Sequence, residues 1–376
     1  MNVLALEPWY GGSHRNFFKG LTENSRHDIR LVTMAARFWK WRLHGGAHTL
    51  ARKTRQLVES GFTPDVVLAS SMVNVPAFLA LARRELPGVP LLYYLHDNQL
   101  TYPLPEEEKR DLSYAHINYL SCLAADRVVF NSQFHYDEFM RALPGLLSVY
   151  PDYTHLHTIA EIRAKSSVLH VGLDLTSHAQ FSTGKEDSGL PPVILWNQRW
   201  QYDKNPDAFF KLINRLDDTG CKFRLILAGK HFEKQHSQFD ETFERYAERI
   251  LHYGYAEDFA EYSQLLHRAD IVVSTAIHEF FGIAMMEAIY CGCHPLLPDH
   301  LSYPELIPSS LHRPLLHAPI LYQDEKELFT ILKSILQKEE RPLPTPTLRS
   351  IVERLDWSTH VSKFDALLSE LASADK

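Results

Sequence analysis

The stretch ADIVVSTA (Ala269–Ala276), followed by HEFFGIAMMEAIYCG (His278–Gly292), decides the fold. The first segment is a short β-branched run, as expected of a strand buried on both faces. The second opens as a polar loop with Gly282 and continues as a helix over Ile283–Tyr290. Strand, loop carboxylate and helix in that order put polar chemistry at the carboxyl edge of a parallel sheet, where ligands bind in open α/β folds. Glu279 and Glu287 stand eight positions apart. Two carboxylates accept hydrogen bonds from neutral polyols such as sugar hydroxyls or a ribose. A loop carboxylate that only caps its turn is the plainer alternative for Glu279.

The same alternation extends in both directions. Upstream, strands are expected at PPVILWNQRW, CKFRLILAG and ILHYG, with helices over Pro206–Leu216, Phe239–Glu248 and Phe259–Arg268. The amino-terminal half repeats the pattern. Strands are predicted at Asn2–Leu6, Ile29–Met34, Val66–Ser70, Pro90–His96 and Arg127–Asn131. Helices are predicted at Arg15–Glu23, Ala47–Ser60, Val75–Arg84, Lys109–Ala124 and Gln133–Ala142. Two doubly wound Rossmann-like domains facing across a cleft follow from this pattern. The expected division is 1–175, a linker over 176–190, a second domain over 191–355 and a helical tail over 356–376.

The 376 residues exceed one ordinary core and suit two domains. With 45% hydrophobic and 23% charged residues, a globular rather than a disordered chain is expected. Four cysteines make no disulfide framework and suit a reducing compartment. No run of apolar residues is long enough to span a bilayer, and MNVLALEPWYGG reads as a first strand rather than a leader. No membrane and a cytoplasmic location are the default expectations. The net charge of −7 does not favour nucleic acid, yet Ile29–Val58 contains no Asp or Glu while carrying Arg30, Arg37, Lys40, Arg42, Arg52, Lys53 and Arg55.

Other polar residues cluster after predicted strands. Arg199 and Lys204, five apart in NQRWQYDKNP, supply a fork and a point charge of the kind that neutralises a diphosphate; two solvated turn cations are the alternative. Gly229 ends another strand, at Gly229-Lys230. The backbone of Phe280, Gly282 and Ile283 offers free N–H groups at a helix start, and Gly282 permits close approach. In the first half, Gly11-Gly12 follows the first strand and lets the backbone approach a phosphate or sugar, although no third glycine completes a dinucleotide fingerprint and a plain turn also fits. His14 suits contact with a phosphate or an acceptor, or a solvent-facing role. HDNQ (His96, Asp97, Asn98, Gln99) closes a strand with hydrogen-bonding groups, or forms a self-capped polar turn. In ARFWKWR, Arg37, Trp39, Lys40, Trp41 and Arg42 combine rings that stack on unpaired bases with cations for phosphates, or form an amphipathic edge with solvated charges. Cys291-x-Cys293-His294 lacks a second nearby ligand cluster and reads as buried thiols rather than zinc.

Arg199…Lys204 with Glu279-x7-Glu287, then Ala288 and Gly292, resembles retaining GT-B glycosyltransferases of the GT4 type. VGLDL (Val171–Leu175) resembles their interdomain segment, with Val171 where asparagine is common. The resemblance implies that Arg199 and Lys204 bind the donor diphosphate, that Glu279 contacts the sugar and Glu287 the ribose, and that His96 lies near the transferred sugar. It implies retention through front-face transfer, domain closure against water, and no required metal or cofactor. EPWYGGSHRNFFKGL, ARFWKWR and HDNQLTYPLP together resemble the tRNA-queuosine mannosyltransferase group. That resemblance implies a hexosyltransferase with GDP-mannose as donor and GDP as product. It also implies the cyclopentenediol of queuosine, in the anticodon loop of tRNA-Asp, as acceptor. The rivals are another GT4-type retaining enzyme acting on a glycan, lipid or small molecule, and a non-catalytic RNA-binding protein.

Overall fold

A computed structural model of the chain describes residues 1–104, 109–182, 189–229 and 237–374. It divides into two compact units, Met1–Leu173 with Trp357–Lys376, and Asp174–Asp356.

The first unit holds a parallel sheet of β1 (Asn2–Tyr10), β2 (Asp28–Ala35), β3 (Val66–Ser70), β4 (Leu91–Leu95), β5 (Arg127–Phe130) and β6 (Ser166–Val168). Its order is β2-β1-β3-β4-β5-β6, so the winding reverses between β1 and β3. All residues of β3 and β4 are buried, as strands covered on both faces by helices must be. The first strand runs past the predicted Leu6. Glu7 pairs with Thr33 and Tyr10 with Ala35 across an irregular step. An acidic residue is thereby held inside a strand, near its carboxyl end.

Among the other boundaries that differ from those expected of the sequence are the start of one helix and the place of the tail. The helix predicted from Ala47 begins at Trp39 and runs to Glu59. Gly45-Gly46 suggests a late start, but at Gly46 a Cβ would stand 3.1 Å from Cβ of Pro8, so the helix needs a small residue there to lie against the first strand. The tail helix, Trp357–Ser373, belongs to the first unit. The Trp357 indole occupies the volume in which a Cβ on Gly20 or Gly172 would lie, at 1.9 and 2.5 Å. The Trp357 backbone N–H donates to the Leu173 carbonyl at 2.8 Å, and Asp365 accepts from the Ser25 hydroxyl at 2.5 Å.

The second unit has β7 (Val193–Trp196), β8 (Arg224–Ala228), β9 (Ile250–Gly254), β10 (Ile271–Val273), β11 (His294–Pro298) and β12 (Leu321–Tyr322). The order is β12-β11-β10-β7-β8-β9, again parallel, reversing between β7 and β10. The last two strands and the helix Glu325–Leu336 are not anticipated from the sequence. Prolines at both Pro295 and Pro298 disguise β11, and β12 has only two residues. Within the expected linker, Thr176–Phe181 is a 3-10 helix; 183–188 lie outside the described residues. Among the described residues no helix is long and apolar enough to cross a membrane.

Candidate functional site

In the second unit, the loops after β7 and β10 meet at the reversal of the sheet. Asn205, in the left-handed region at φ 49°, caps the helix Pro206–Asp218 by accepting from the Ala208 N–H, and so ends the turn that carries Arg199 and Lys204. The Asp203 carbonyl accepts from the N–H groups of Ile277 and His278 at 3.0 and 3.3 Å. The Thr275 hydroxyl donates to the Lys204 and Asn205 carbonyls. These bonds bring Lys204 and Glu279 together. The Lys204 ammonium donates to Oε2 of Glu279 at 3.0 Å and to the His278 carbonyl at 2.9 Å, with Asp203 Oδ2 at 3.1 Å. Burial alone would raise the Glu279 pKa; Lys204, then Arg199 and the Phe281 N–H, reverse the sign and lower it. Arg199 lies 3.9 Å from Asp203 with half its side chain exposed.

Glu287 lies on the helix Ile283–Tyr290, which starts at Gly282 in the left-handed region at φ 95°. A Cβ at that glycine would also meet the Tyr303 ring at 2.7 Å. Glu287 accepts from the Tyr262 hydroxyl at 2.8 Å, and Asn197 donates to that hydroxyl at 3.2 Å. Burial, aided by the charge of Asp174 and opposed by the Tyr262 bond, pushes Glu287 up to about 7. Tyr262 and Asp203 are participants the sequence reading does not single out. Phe280 is buried edge-on against the His278 ring, which leaves its backbone rather than its ring for a ligand. Ile283, partly buried, is the first residue of the helix. Gly229 has a packing duty: a Cβ there would stand 2.1 Å from the Gln198 carbonyl. Lys230 lies outside the described residues.

In the first unit, Gly11 precedes the helix Gly12–Asn24, and a Cβ on it would strike Ala36 at 2.5 Å. Gly12 takes φ 52° with nothing near its Cβ position, so it is the glycine that leaves backbone open to a ligand. His14 is buried, and its Nδ1 lies 2.7 Å from Oε2 of Glu7. Oε1 of Glu7, a fully buried residue, accepts from the Trp9 N–H at 2.7 Å. Burial opposes charge on His14, but Glu7 and then Asp97 outweigh it and raise its pKa. The His96 ring stands 4.5 Å from that of His14, enclosed by Phe17, Phe18 and Tyr94. Burial first, then the charges of His14 and His135, hold His96 well below the usual histidine range. Its Nε2 is buried with no hydrogen-bond partner among the described residues. Glu7, His14 and His96 bring ligand-type atoms within 4.8 Å of one another, a spacing suited to a cation, but both Glu7 oxygens already accept hydrogen bonds.

The HDNQ segment divides by role. Asp97 accepts from the Ser71 hydroxyl at 2.8 Å. Gln99 is partly exposed, its N–H donating to Asn118. Asn98 corrects the expectation of an acceptor contact. It is fully buried; its Oδ1 accepts from the N–H groups of Leu100 and Thr101 and its Nδ2 donates to the Thr101 hydroxyl. It is the self-capped turn residue.

Arg37, Phe38, Trp39, Lys40 and Trp41 are exposed, Phe38 at 78%. Phe38 takes φ 51°, an uncommon backbone for an aromatic residue, and turns the chain into the helix. Trp39 packs against Tyr114 at 5.2 Å with the Lys40 ammonium 5.6 Å from its ring, and Arg42 donates to the Ala35 carbonyl. Trp41 lies along Gly45. Down the same helix His44, His48, Arg52 and Arg55 are exposed at three- and four-residue spacing, which places them on the face of Trp41.

Residues 2–173 match the family described as tRNA-queuosine alpha-mannosyltransferase N-terminal. Residues 181–319 match glycosyl transferases group 1. A tRNA-queuosine alpha-mannosyltransferase of Drosophila melanogaster is 33% identical over 314 residues, covering 82% of each chain. Sucrose-phosphate synthase from Thermosynechococcus elongatus superposes with a TM-score of 0.69 at 15% identity over 100% of both chains. Anabaena HepE, solved in complex with UDP and glucose, superposes with a TM-score of 0.69 at 18% identity over 99% of this chain and 100% of its own. At such identity the structural likeness bears on fold alone, and with the group 1 match it identifies a GT-B fold. The amino-terminal match and the 33% identity across most of both sequences show that this chain belongs to the tRNA-queuosine alpha-mannosyltransferase family.

Proposed function

We propose that this protein moves mannose from GDP-mannose to the cyclopentenediol of queuosine in the anticodon loop of tRNA-Asp, with retention at the anomeric carbon. The observation that carries the reading is the 33% identity to the Drosophila melanogaster enzyme across four-fifths of both chains.

The site geometry supports assigned roles. Glu279, kept ionised by Lys204, accepts from sugar hydroxyls. Glu287, steadied by Tyr262, accepts from the ribose. The Lys204 charge is shared with Asp203 and Glu279, so the half-exposed Arg199 brings the further positive charge a departing diphosphate needs. Backbone N–H groups from Gly282 onward, at the start of the Ile283 helix, add to it. In front-face transfer the leaving phosphate oxygen takes the acceptor proton, which leaves Glu279 free of a base's role. In the first unit, His96 and Asp97 face sugar and acceptor hydroxyls. The aromatic and basic turn from Arg37 to Arg42 receives unstacked bases and phosphates. The reading needs no metal.

The test is transfer of radiolabel from GDP-mannose to purified queuosine-containing tRNA, with queuosine-free tRNA as control. Incorporation that depends on queuosine is expected. No incorporation at saturating donor, while another sugar donor or acceptor reacts, sinks the mannosyl-queuosine assignment and leaves a different GT-B transferase.

A further inference from the structure

A carboxylate with no exposed surface is costly unless its charge is answered, and Glu7 is such a group. It sits inside β1, where a strand residue with a neutral side chain would serve the sheet as well. Its oxygens reach two partners, the Trp9 N–H and the His14 ring. Trp9 needs only a neutral acceptor. The His14 contact is different: a carboxylate at 2.7 Å from Nδ1 favours the ring that carries a proton on both nitrogens. Beside it stands a second imidazole, His96, whose centroid is 4.5 Å away and whose Nε2 has no partner among the described residues. Two rings this close do not both carry charge, so whichever is paired with the carboxylate takes it.

We propose that Glu7 is a positioning residue that holds His14 as an imidazolium beside a neutral His96, so that His14 donates from Nε2 to a substrate oxygen. Nδ1 faces Glu7, which leaves Nε2 as the donor. The charged and titratable groups around the pair are Glu7 on β1, Asp97 after β4, Tyr94 against His96, and His135 on the helix Gln133–Leu147. Glu7 and Asp97 favour charge on His14; His14 and His135 disfavour it on His96. The identity of the substrate rests on the transferase reading, whereas the division of charge between the rings does not.

The test pairs a titration with kinetics on the full-length enzyme. Histidine-selective NMR, with the His14 resonance identified by its loss in His14→Gln, is followed against pH in the wild type and in Glu7→Gln. The His14 titration is expected to move to lower pH in the variant, because the carboxylate that favours the proton is gone. Activity that needs the imidazolium falls as pH rises through that titration. The alkaline limb of kcat therefore moves to lower pH in Glu7→Gln, with a loss of about tenfold to a hundredfold above neutrality and substantial recovery below it. KM for tRNA stays close to the wild-type value. A residue that only fills the strand would change the melting temperature and leave the limb in place.

Should Glu7→Gln lose its cooperative melting, Asp97→Asn serves: the His14 titration is expected to shift in the same direction and less far. An unmoved His14 titration in either folded variant overturns the proposal. So does a wild-type kcat that rises with pH through the titration, which would make His14 a base. Loss of activity in a chelator, restored by zinc, would make the trio a metal site and overturn it as well. A wild type that transfers nothing to queuosine-containing tRNA fails the transferase reading separately, while the Glu7→Gln titration still decides which ring is charged.

Discussion

Both units place an ion pair at the carboxyl edge of a parallel sheet, and the two pairs are built from different chemistry. In the second unit Lys204 sits between Asp203 and Glu279, and its charge holds the Glu279 carboxyl below the usual range. In the first, Glu7 holds a histidine, a group that changes charge close to neutrality. The lysine cluster is a fixed field suited to a diphosphate and a sugar, substrates whose charge and hydroxyls do not vary. The histidine pair is adjustable, and its charge depends on neighbours from β1 and from the loop after β4. The GT-B scaffold thus repeats one architecture and answers a carboxylate with lysine at one edge and with histidine at the other.

The strongest way to break this contrast is to empty the fixed cluster. Lys204→Met takes from Asp203, almost wholly buried, its nearer cation and leaves it the half-exposed Arg199 at 3.9 Å. Removing one partner of a buried pair costs roughly 3–5 kcal/mol. The variant is expected to melt at a lower temperature and to lose transfer by about 10²–10³-fold, near equally at all pH values between the two limbs of the profile. Chemical denaturation and steady-state kinetics check both. Wild-type turnover in Lys204→Met would remove the cluster from the reaction.

Glu287 sharpens the contrast by being the second unit's own exception. Its carboxyl is pushed up to about 7 by burial. Below that pH it is protonated and a poorer acceptor for ribose hydroxyls; above it the carboxylate accepts. Donor affinity is therefore expected to rise with pH up to about 7 and then level, by at most about tenfold per unit for a single linked proton. Glu287→Gln should bind more weakly than the wild type at high pH and show a flat profile. Calorimetry with GDP-mannose, whose own charge is constant over this range, decides it. A flat wild-type profile rejects an ionised Glu287 at the ribose.

How far each site was legible follows from where its residues sit. Arg199, Lys204, Glu279 and Glu287 stand in loops or just inside a helix, where a charge among apolar strands is conspicuous. The helix Ile283–Tyr290 and the strand Ile250–Gly254 fall where periodicity puts them. Glu7 is hidden because the strand reads as ended at Leu6, and a bulged continuation through Tyr10 leaves no period-two signature. Tyr262 is hidden because it lies on an ordinary amphipathic helix, Phe259–Arg268. Asn98 misleads for the opposite reason: an amide at a strand's end looks like a contact residue whether it faces a ligand or folds onto its own loop. The tail's place depended on two glycines, Gly20 and Gly172, far from Trp357 in sequence, and no local pattern connects them.

The smallest expected effect concerns the exposed turn of the first unit, which separates the histidine pair from the rest of that unit. Arg37 and Trp41 are both exposed at the start of the helix Trp39–Glu59. A phosphate contact and a stacking contact differ in their response to salt. Arg37→Ala is expected to weaken tRNA binding a few-fold and to lower the slope of log K against log salt by about 0.7, the value for one phosphate on a single strand. Trp41→Ala is expected to cost about 1 kcal/mol, the low end for a stacked base, with the slope unchanged. Neither should alter the pH limb assigned to His14 or donor affinity. Filter binding over a salt series gives both quantities. Equal slopes in Arg37→Ala and the wild type would place the phosphates elsewhere, and the exposed face continuing through His48 and Arg52 is where the next substitutions belong.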